Sequence, residues 1–120
     1  MNARIIAVTV DCHDAEQLAD FWRQTLGYPQ IQRWQDGHGM TYVELSRDGE
    51  VPLLFQPVGE NKQVKNRVHI DIAPTELAQD AEIERLVALG ARVLTEDPAE
   101  RFIVLADPEG NEFCVLPQRG

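Results

Sequence analysis

The feature that most constrains this chain is a pattern written twice. A β-branched run from Arg4 to Asp11, with Ile5, Ile6, Val8, Thr9 and Val10, predicts a strand. The stretch from Ala15 to Leu26 follows with Leu18, Phe21, Trp22 and Leu26 at helical spacing, which predicts one apolar helix face. Asp14 is placed as its N-cap, with Gln17 three residues on in a capping-box pattern, and Gly27 is placed to end it in the left-handed conformation. Three extended segments come next: Tyr28-Pro29 through Trp34, Met40 to Ser46, and Val51 to Val58, with turns at Asp36–Gly39 and Asp48-Gly49. Then the pattern restarts. Arg67 to Ile72 is a strand, and Thr75 caps a helix with Leu77, Ala81, Ile83, Leu86, Val87 and Leu89 as apolar positions and Gly90 as its stop. Ala91–Leu94, Arg101–Ala106 and Glu112–Leu116 are strands, the last two joined by the turn Asp107-Pro108-Glu109-Gly110.

The predicted order is therefore βαβββ, linker, βαβββ, an α+β chain. Leu26-Gly27 and Leu89-Gly90 fall at matching places. A period of about 60 residues signals a repeated supersecondary unit. Module one covers about 1–58, the polar linker about 59–65 and module two about 66–120, together one domain, as 120 residues suggest. A plain α+β sandwich without a repeat is the alternative.

Composition narrows the partners. The formal net charge is −9, from 20 acidic and 11 basic residues. Such a surface repels phosphate backbones and anionic lipids, so neither nucleic acid nor a membrane is expected. No basic, then apolar leader opens the chain, and no apolar run reaches membrane-spanning length. Cys12 and Cys114 are too few for a disulfide framework. A cytoplasmic protein with reduced thiols is the expectation.

Strand alternation separates two faces. Val68, Ile70 and Ile72 are expected to face a helix, leaving Arg67, His69 and Asp71 on the other side. By the same logic Ile6, Val8 and Val10 oppose Ala7, Thr9 and Asp11. Val43 and Leu45 oppose Tyr42 and Glu44, Leu53 and Phe55 oppose Leu54 and Gln56, and Phe113 and Val115 oppose Glu112 and Cys114. The polar face thus carries Thr9, Asp11, Tyr42, Glu44, Gln56, Arg67, His69, Asp71, Glu112 and Cys114. A solvated sheet face accounts for such a set, and so does a ligand pocket.

Several strings carry a resemblance to a known family. They are Phe21-Trp22-Arg23-Gln24-Thr25-Leu26-Gly27-Tyr28, Asn66-Arg67-Val68-His69-Ile70-Asp71-Ile72, and Leu105-Ala106-Asp107-Pro108-Glu109-Gly110-Asn111-Glu112-Phe113. In this order and spacing the chain resembles the vicinal oxygen chelate superfamily, the glyoxalase, bleomycin-resistance and dioxygenase group. It looks closest to glyoxalase-like domains of unassigned function. The resemblance implies eight strands in a curved mixed sheet around a cleft, with helices on the outer face. It also implies a homodimer.

The family's metal is held at four positions, which match Ala7, Gln56, His69 and Cys114 in this chain. Ala7 has no donor atom, Gln56 offers a neutral carbonyl, and Cys114 replaces a carboxylate, a poor set for octahedral Ni, Mn or Fe. The resemblance therefore implies a degenerate site and no cofactor. A divalent metal is the lesser alternative, with His69, Cys114 and a third group such as Glu44 holding Zn in tetrahedral geometry. Without metal, His69 is the candidate general base, with Glu44 or Asp71 beside it. Contact between His69 and Cys114 would allow an activated thiolate, and Glu44 and Arg67 would alternatively form an ion pair. Trp34 and His38 flank a turn from which they could cap the cleft. The expected ligand-binding set is Tyr42, Glu44, Gln56, Arg67, His69, Asp71, Glu112, Cys114 and Trp34. Three functions follow from these residues: small-molecule binding, metal-dependent lyase, isomerase or dioxygenase chemistry, and an interaction module.

Overall fold

The structure is a computed structural model and describes residues 1–119. The chain divides near Glu60 into two compact units. The first contains β1 (Val8–Cys12), α1 (Ala15–Leu26), β2 (Gln30–Gln35), β3 (Thr41–Ser46) and β4 (Leu53–Pro57). Its sheet has the order β1-β4-β3-β2, with β1 parallel to β4 and the other pairs antiparallel. Alternation decides its two faces: Val43, Leu45, Leu53 and Phe55 are buried, and α1 covers β3 and β4 with Leu18, Phe21 and Trp22. Each such side chain contributes about 1.5–3 kcal/mol by leaving water. Phe21 and Trp22 meet edge to face, with centroids 5.3 Å apart. The ends of α1 form as its sequence predicts. Asp14 accepts a hydrogen bond from the Gln17 N–H at 3.0 Å, and Gly27 takes φ 68° while its N–H returns to the Arg23 carbonyl.

The second unit contains β5 (Ile70–Ile72), α2 (Gln79–Leu89), β6 (Arg92–Glu96), β7 (Ile103–Ala106) and β8 (Glu112–Val115). Its sheet order, β5-β8-β7-β6 with β5 parallel to β8, repeats that of the first unit strand for strand. Leu86 of α2 and Leu105, Phe113 and Val115 of the sheet are its fully buried core. Among the described residues no helix is long and apolar enough to cross a membrane.

Four expectations need correction. The backbone ladders make two four-stranded sheets, one per unit, rather than a single eight-stranded sheet. The strand predicted from Arg67 starts only at Ile70, where pairing with Phe113 begins, so Val68 is 80% exposed instead of facing a helix. In the first unit, likewise, β1 begins at Val8, opposite Leu53, and leaves Ile5 and Ile6 exposed. Finally, α2 starts after Ala78, with no side-chain cap, and Thr75 does not cap it. The Thr75 carbonyl, the first acceptor of a helix capped there, instead accepts from Gln118 Nε2 at 3.3 Å.

Candidate functional site

The hairpin between β7 and β8 organises the ground beneath the candidate site. Asp107 is 4% exposed. Its Oδ1 accepts from the backbone N–H of Glu109 (2.9 Å) and of Asn111 (3.0 Å), and the Asn111 side-chain amide closes on both carboxylate oxygens. Gly110 completes the turn at φ 89°, a backbone conformation that costs glycine little. The asparagine passes the order onward, since its Oδ1 accepts from Asn66 Nδ2 at 3.0 Å. Glu112 adds a second tie. Its Oε1 accepts from the Asn66 N–H at 3.0 Å, and its Oε2 faces Lys62 Nζ at 3.1 Å. Burial alone raises the pKa of Glu112. The Asn66 N–H and the Lys62 ammonium outweigh that and hold it below the usual value.

These contacts fix the loop that leads into β5, and the polar face of the second sheet follows. In register across the sheet stand Asp71, Cys114 and Val104. His69 lies just ahead of β5. Its Nδ1 is 3.4 Å from Asp71 Oδ1 and 4.0 Å from Cys114 Sγ. The donor atoms of all three residues lie within 4.8 Å of one another. Burial pushes the Cys114 thiol up, and the Asp71 carboxylate pushes it further, with the Lys65 ammonium opposing. A raised thiol is the reverse of the activated thiolate considered from sequence. A geometric reason accompanies it: the thiol and the carboxylate meet the same imidazole nitrogen. A neutral His69 whose Nδ1–H points at Asp71 has no lone pair there to take the Cys114 proton.

A cavity of about 320 Å³ opens over this cluster, lined by Lys65, His69, Asp71, Phe102, Val104, Glu112 and Cys114. His69, Asp71, Glu112 and Cys114 were expected at a site from sequence, and the structure brings them together. Lys65, Phe102 and Val104 were missed. The signal for Val104 was present in alternation, because it pairs directly with Cys114. Lys65 sat in a segment read only as linker. Arg67 is exposed on the loop before β5 and does not line this cavity.

The first unit holds the other expected residues on the polar face of its own sheet. Asp11 pairs with Gln56, Glu44 with Leu54 and Gln32, and Trp34 with Tyr42, the two rings 6.0 Å apart. Partial desolvation raises the Tyr42 phenol, and the charges of Asp36 and Asp11 add to it. Thr9 lies on the same face, opposite Leu54. Ala7 precedes β1.

The sheet order, the repeated unit and the Asp107–Asn111 hairpin can now be set beside known proteins. The glyoxalase-like domain family matches residues 7–116. The chain belongs to this family. Solved structures of the vicinal oxygen chelate superfamily share its fold. The fosfomycin resistance protein FosX of Listeria monocytogenes has a TM-score of 0.76 at 18% identity, over 99% of this chain and 96% of that one. The trypanothione-dependent glyoxalase I of Leishmania major gives 0.68 at 15% identity, over 98% and 88%. A glyoxalase/bleomycin resistance protein/dioxygenase family enzyme of Burkholderia phytofirmans gives 0.67 at 21%, over 94% and 97%. A FosX variant has been solved with Mn(II) and 1S,2S-dihydroxypropylphosphonic acid. No curated protein matches the sequence.

Glyoxalase-like relatives raise the question of a metal, and the residues answer it in two parts. The four positions that the resemblance assigns to a hard octahedral ion include an alanine methyl and a buried thiol, Ala7 and Cys114, and do not fit one. The nitrogen, oxygen and sulfur of His69, Asp71 and Cys114 are a different donor set.

Proposed function

We propose that this glyoxalase-like domain binds a small organic molecule in the cavity of its second unit. The cavity itself carries the reading. At about 320 Å³ it matches the lower end of small-molecule sites. One wall is apolar, from Phe102 and Val104. The other presents His69, Asp71 and Cys114, and Lys65 offers a cation at its edge. Such a pocket suits a compact molecule with an apolar body and an anionic or hydrogen-bonding head. Tyr42, Glu44, Gln56 and Trp34 are proposed as further ligand contacts on the first sheet. In this reading the family's four-position metal site is degenerate, and the protein works as a homodimer in the cytoplasm as a single domain.

A second reading, a metal-independent acid–base enzyme, draws on the His69–Asp71 contact at 3.4 Å. A carboxylate at Nδ1 fixes the imidazole so that Nε2 carries the free lone pair. The FosX complex with Mn(II) and a phosphonic acid supports a third, metal-dependent reading for small anionic substrates.

The test is a thermal-shift screen of small organic acids and phosphonates in the presence of chelator. A ligand at a hundred times its Kd stabilises by about 2.7 kcal/mol, enough to shift the midpoint by several degrees. Val104→Phe, which fills the cavity, should abolish the shift and leave the fold intact. A hit whose binding survives Val104→Phe would place the ligand elsewhere and sink the reading.

A further inference from the structure

We infer that Asp48-Gly49, in the hairpin between β3 and β4, is a site of spontaneous isoaspartate formation in the folded protein, and that the fold protects Asp36-Gly37, the other aspartate–glycine pair of the sequence. The site lies in the first unit alone. Whether the second unit binds a small molecule does not bear on it.

Sequence sets the two pairs equal. In each, the backbone nitrogen that follows the aspartate belongs to glycine, which has no Cβ to shield it from the aspartyl Cγ. Gly37 and Gly49 both have nothing within 4 Å of the position a Cβ would take, so no neighbouring group shields either one. Neither glycine N–H is engaged in a hydrogen bond among the described residues.

Structure separates them. Asp36 Oδ1 accepts from the His38 N–H at 2.8 Å and from the Met40 N–H at 3.1 Å. Its backbone is tied as well: the Asp36 N–H donates to the Met40 carbonyl, and the Asp36 carbonyl accepts from the Gly39 N–H. The His38 and Met40 N–H groups hold the Asp36 carboxyl below the usual carboxylate range. Attack on Cγ expels its hydroxyl, so a carboxyl kept ionised is the poorer electrophile. Turning Cγ onto the Gly37 nitrogen also has to disturb both bonds. Asp48 carries none of these restraints. It is exposed, and its carboxylate accepts no hydrogen bond among the described residues. The Glu50 N–H closes the turn on the Arg47 carbonyl at 3.1 Å, and Gly49 takes φ 84°, a left-handed position that costs glycine little.

The step balances without a co-reactant. The Gly49 nitrogen bonds to Asp48 Cγ as the Cγ–OH bond breaks, and the nitrogen's proton leaves with that hydroxyl as water. The cyclic imide then takes water back at either carbonyl. Opening at the Asp48 backbone carbonyl routes the chain through Cγ and leaves an α-carboxylate as the side group. The mass is unchanged, and the backbone is one carbon longer. That carbon falls inside the turn closed by Arg47 and Glu50. On one side of it the Arg47 guanidinium donates to the Gly27 carbonyl and covers the Tyr28 ring, and on the other the Val51 carbonyl accepts from the Tyr28 hydroxyl at 3.2 Å. Isoaspartate at this point should loosen the hold of the hairpin on the end of α1.

The experiment ages native protein in warm, mildly acidic buffer, beside a sample unfolded in guanidinium chloride that gives the intrinsic rate of each pair. Both are unfolded at the end and read by peptide mapping, with fragmentation that distinguishes isoaspartyl from aspartyl linkages. A purified isoaspartate methyltransferase with labelled methyl donor counts the new α-carboxylates. The unfolded sample should show similar rates at the two pairs. In the native sample Asp48 should keep most of its unfolded rate, and Asp36 should be at least tenfold slower than its own. Asp48→Glu, which has a larger ring to close, should remove most of the methylation that native ageing produces, with circular dichroism to check the fold. Equal native rates at the two pairs, a native Asp48 slowed as much as Asp36, or undiminished methylation in Asp48→Glu would each overturn the assignment.

Discussion

Cys114 is pulled two ways by its neighbours. Its burial and the Asp71 carboxylate disfavour the thiolate, whereas the Lys65 ammonium favours it. The alkylation midpoint of Cys114 should therefore lie above the ordinary thiol value. Asp71→Asn should lower that midpoint, because the negative charge is gone, and leave a residual elevation from burial. An unchanged midpoint in Asp71→Asn would show that the carboxylate does not act on the sulfur. Glu112 shows the opposite sign. Although burial raises its pKa, the Asn66 N–H and Lys62 carry it below the unfolded value of about 4.5. A depressed carboxylate stabilises the fold above its unfolded pKa, and that stability is lost as pH falls through the lower folded value. Glu112→Gln should cost about 1–3 kcal/mol at pH 7, since its bonds are charge-assisted. It should also flatten the loss of stability between about pH 5 and pH 3. Urea melts at several pH values decide the matter: an equally steep acid loss in the variant would mean that other carboxylates govern it.

At the scale of elements, the two helices are an internal comparison. The Asp14 side chain caps α1, and α2 begins at Ala78, whose φ of −68° and ψ of 158° are those of an N-cap without a side chain to use. Ala78→Asp should supply the missing acceptor and stabilise by about 0.5–2 kcal/mol, read as a raised urea midpoint with an unchanged slope. A neutral or lowered midpoint would mean that Asp80, in the same turn, already serves the free N–H groups. The Asp107 hairpin is the converse case. Asp107→Ala strips one buried carboxylate from several donors at once and should cost about 2–3 kcal/mol, with faster proteolysis of the loop at Asn66 as the local readout. These elements also show what was legible in sequence. Periodicity, Asp14, Gly27 and Gly90 were enough for the presence of both helices, the order of elements along the chain and the repeat, because those signals act within a few residues. The start of β5 was not, because it depends on where Phe113 offers a partner. Nor was the start of α2, where Gln118, far along the chain, takes the Thr75 carbonyl. Alternation placed His69, Asp71 and Cys114 on one side of a sheet. That Nδ1 would face both partners, and that Lys65 would reach the cavity from a segment read as linker, are three-dimensional facts with no local signal.

For the whole molecule the governing quantity is charge. Twenty acidic against 11 basic residues leave a net charge of −9 at pH 7, with a pI near 4.6. Two forces with opposite salt dependence then compete. Exposed pairs such as Arg33–Glu16, at 2.7 Å, are weakened by salt, but each contributes only about 0–1 kcal/mol. The repulsion among unpaired carboxylates is also screened, over a Debye length of about 8 Å at physiological ionic strength, and that screening stabilises. Because the acidic excess outnumbers the attractive pairs, repulsion should win. Raising sodium chloride from about 0.02 to 0.3 M at pH 7 should lift the thermal midpoint by a few degrees. At pH 5, where carboxylate protonation has begun to relieve the repulsion, the same addition should do much less. Lithium or potassium chloride should reproduce the effect, as screening is indifferent to the cation. A midpoint that falls with salt at pH 7 would show instead that the ion pairs, Lys62–Glu112 beside the cavity among them, outweigh the excess charge.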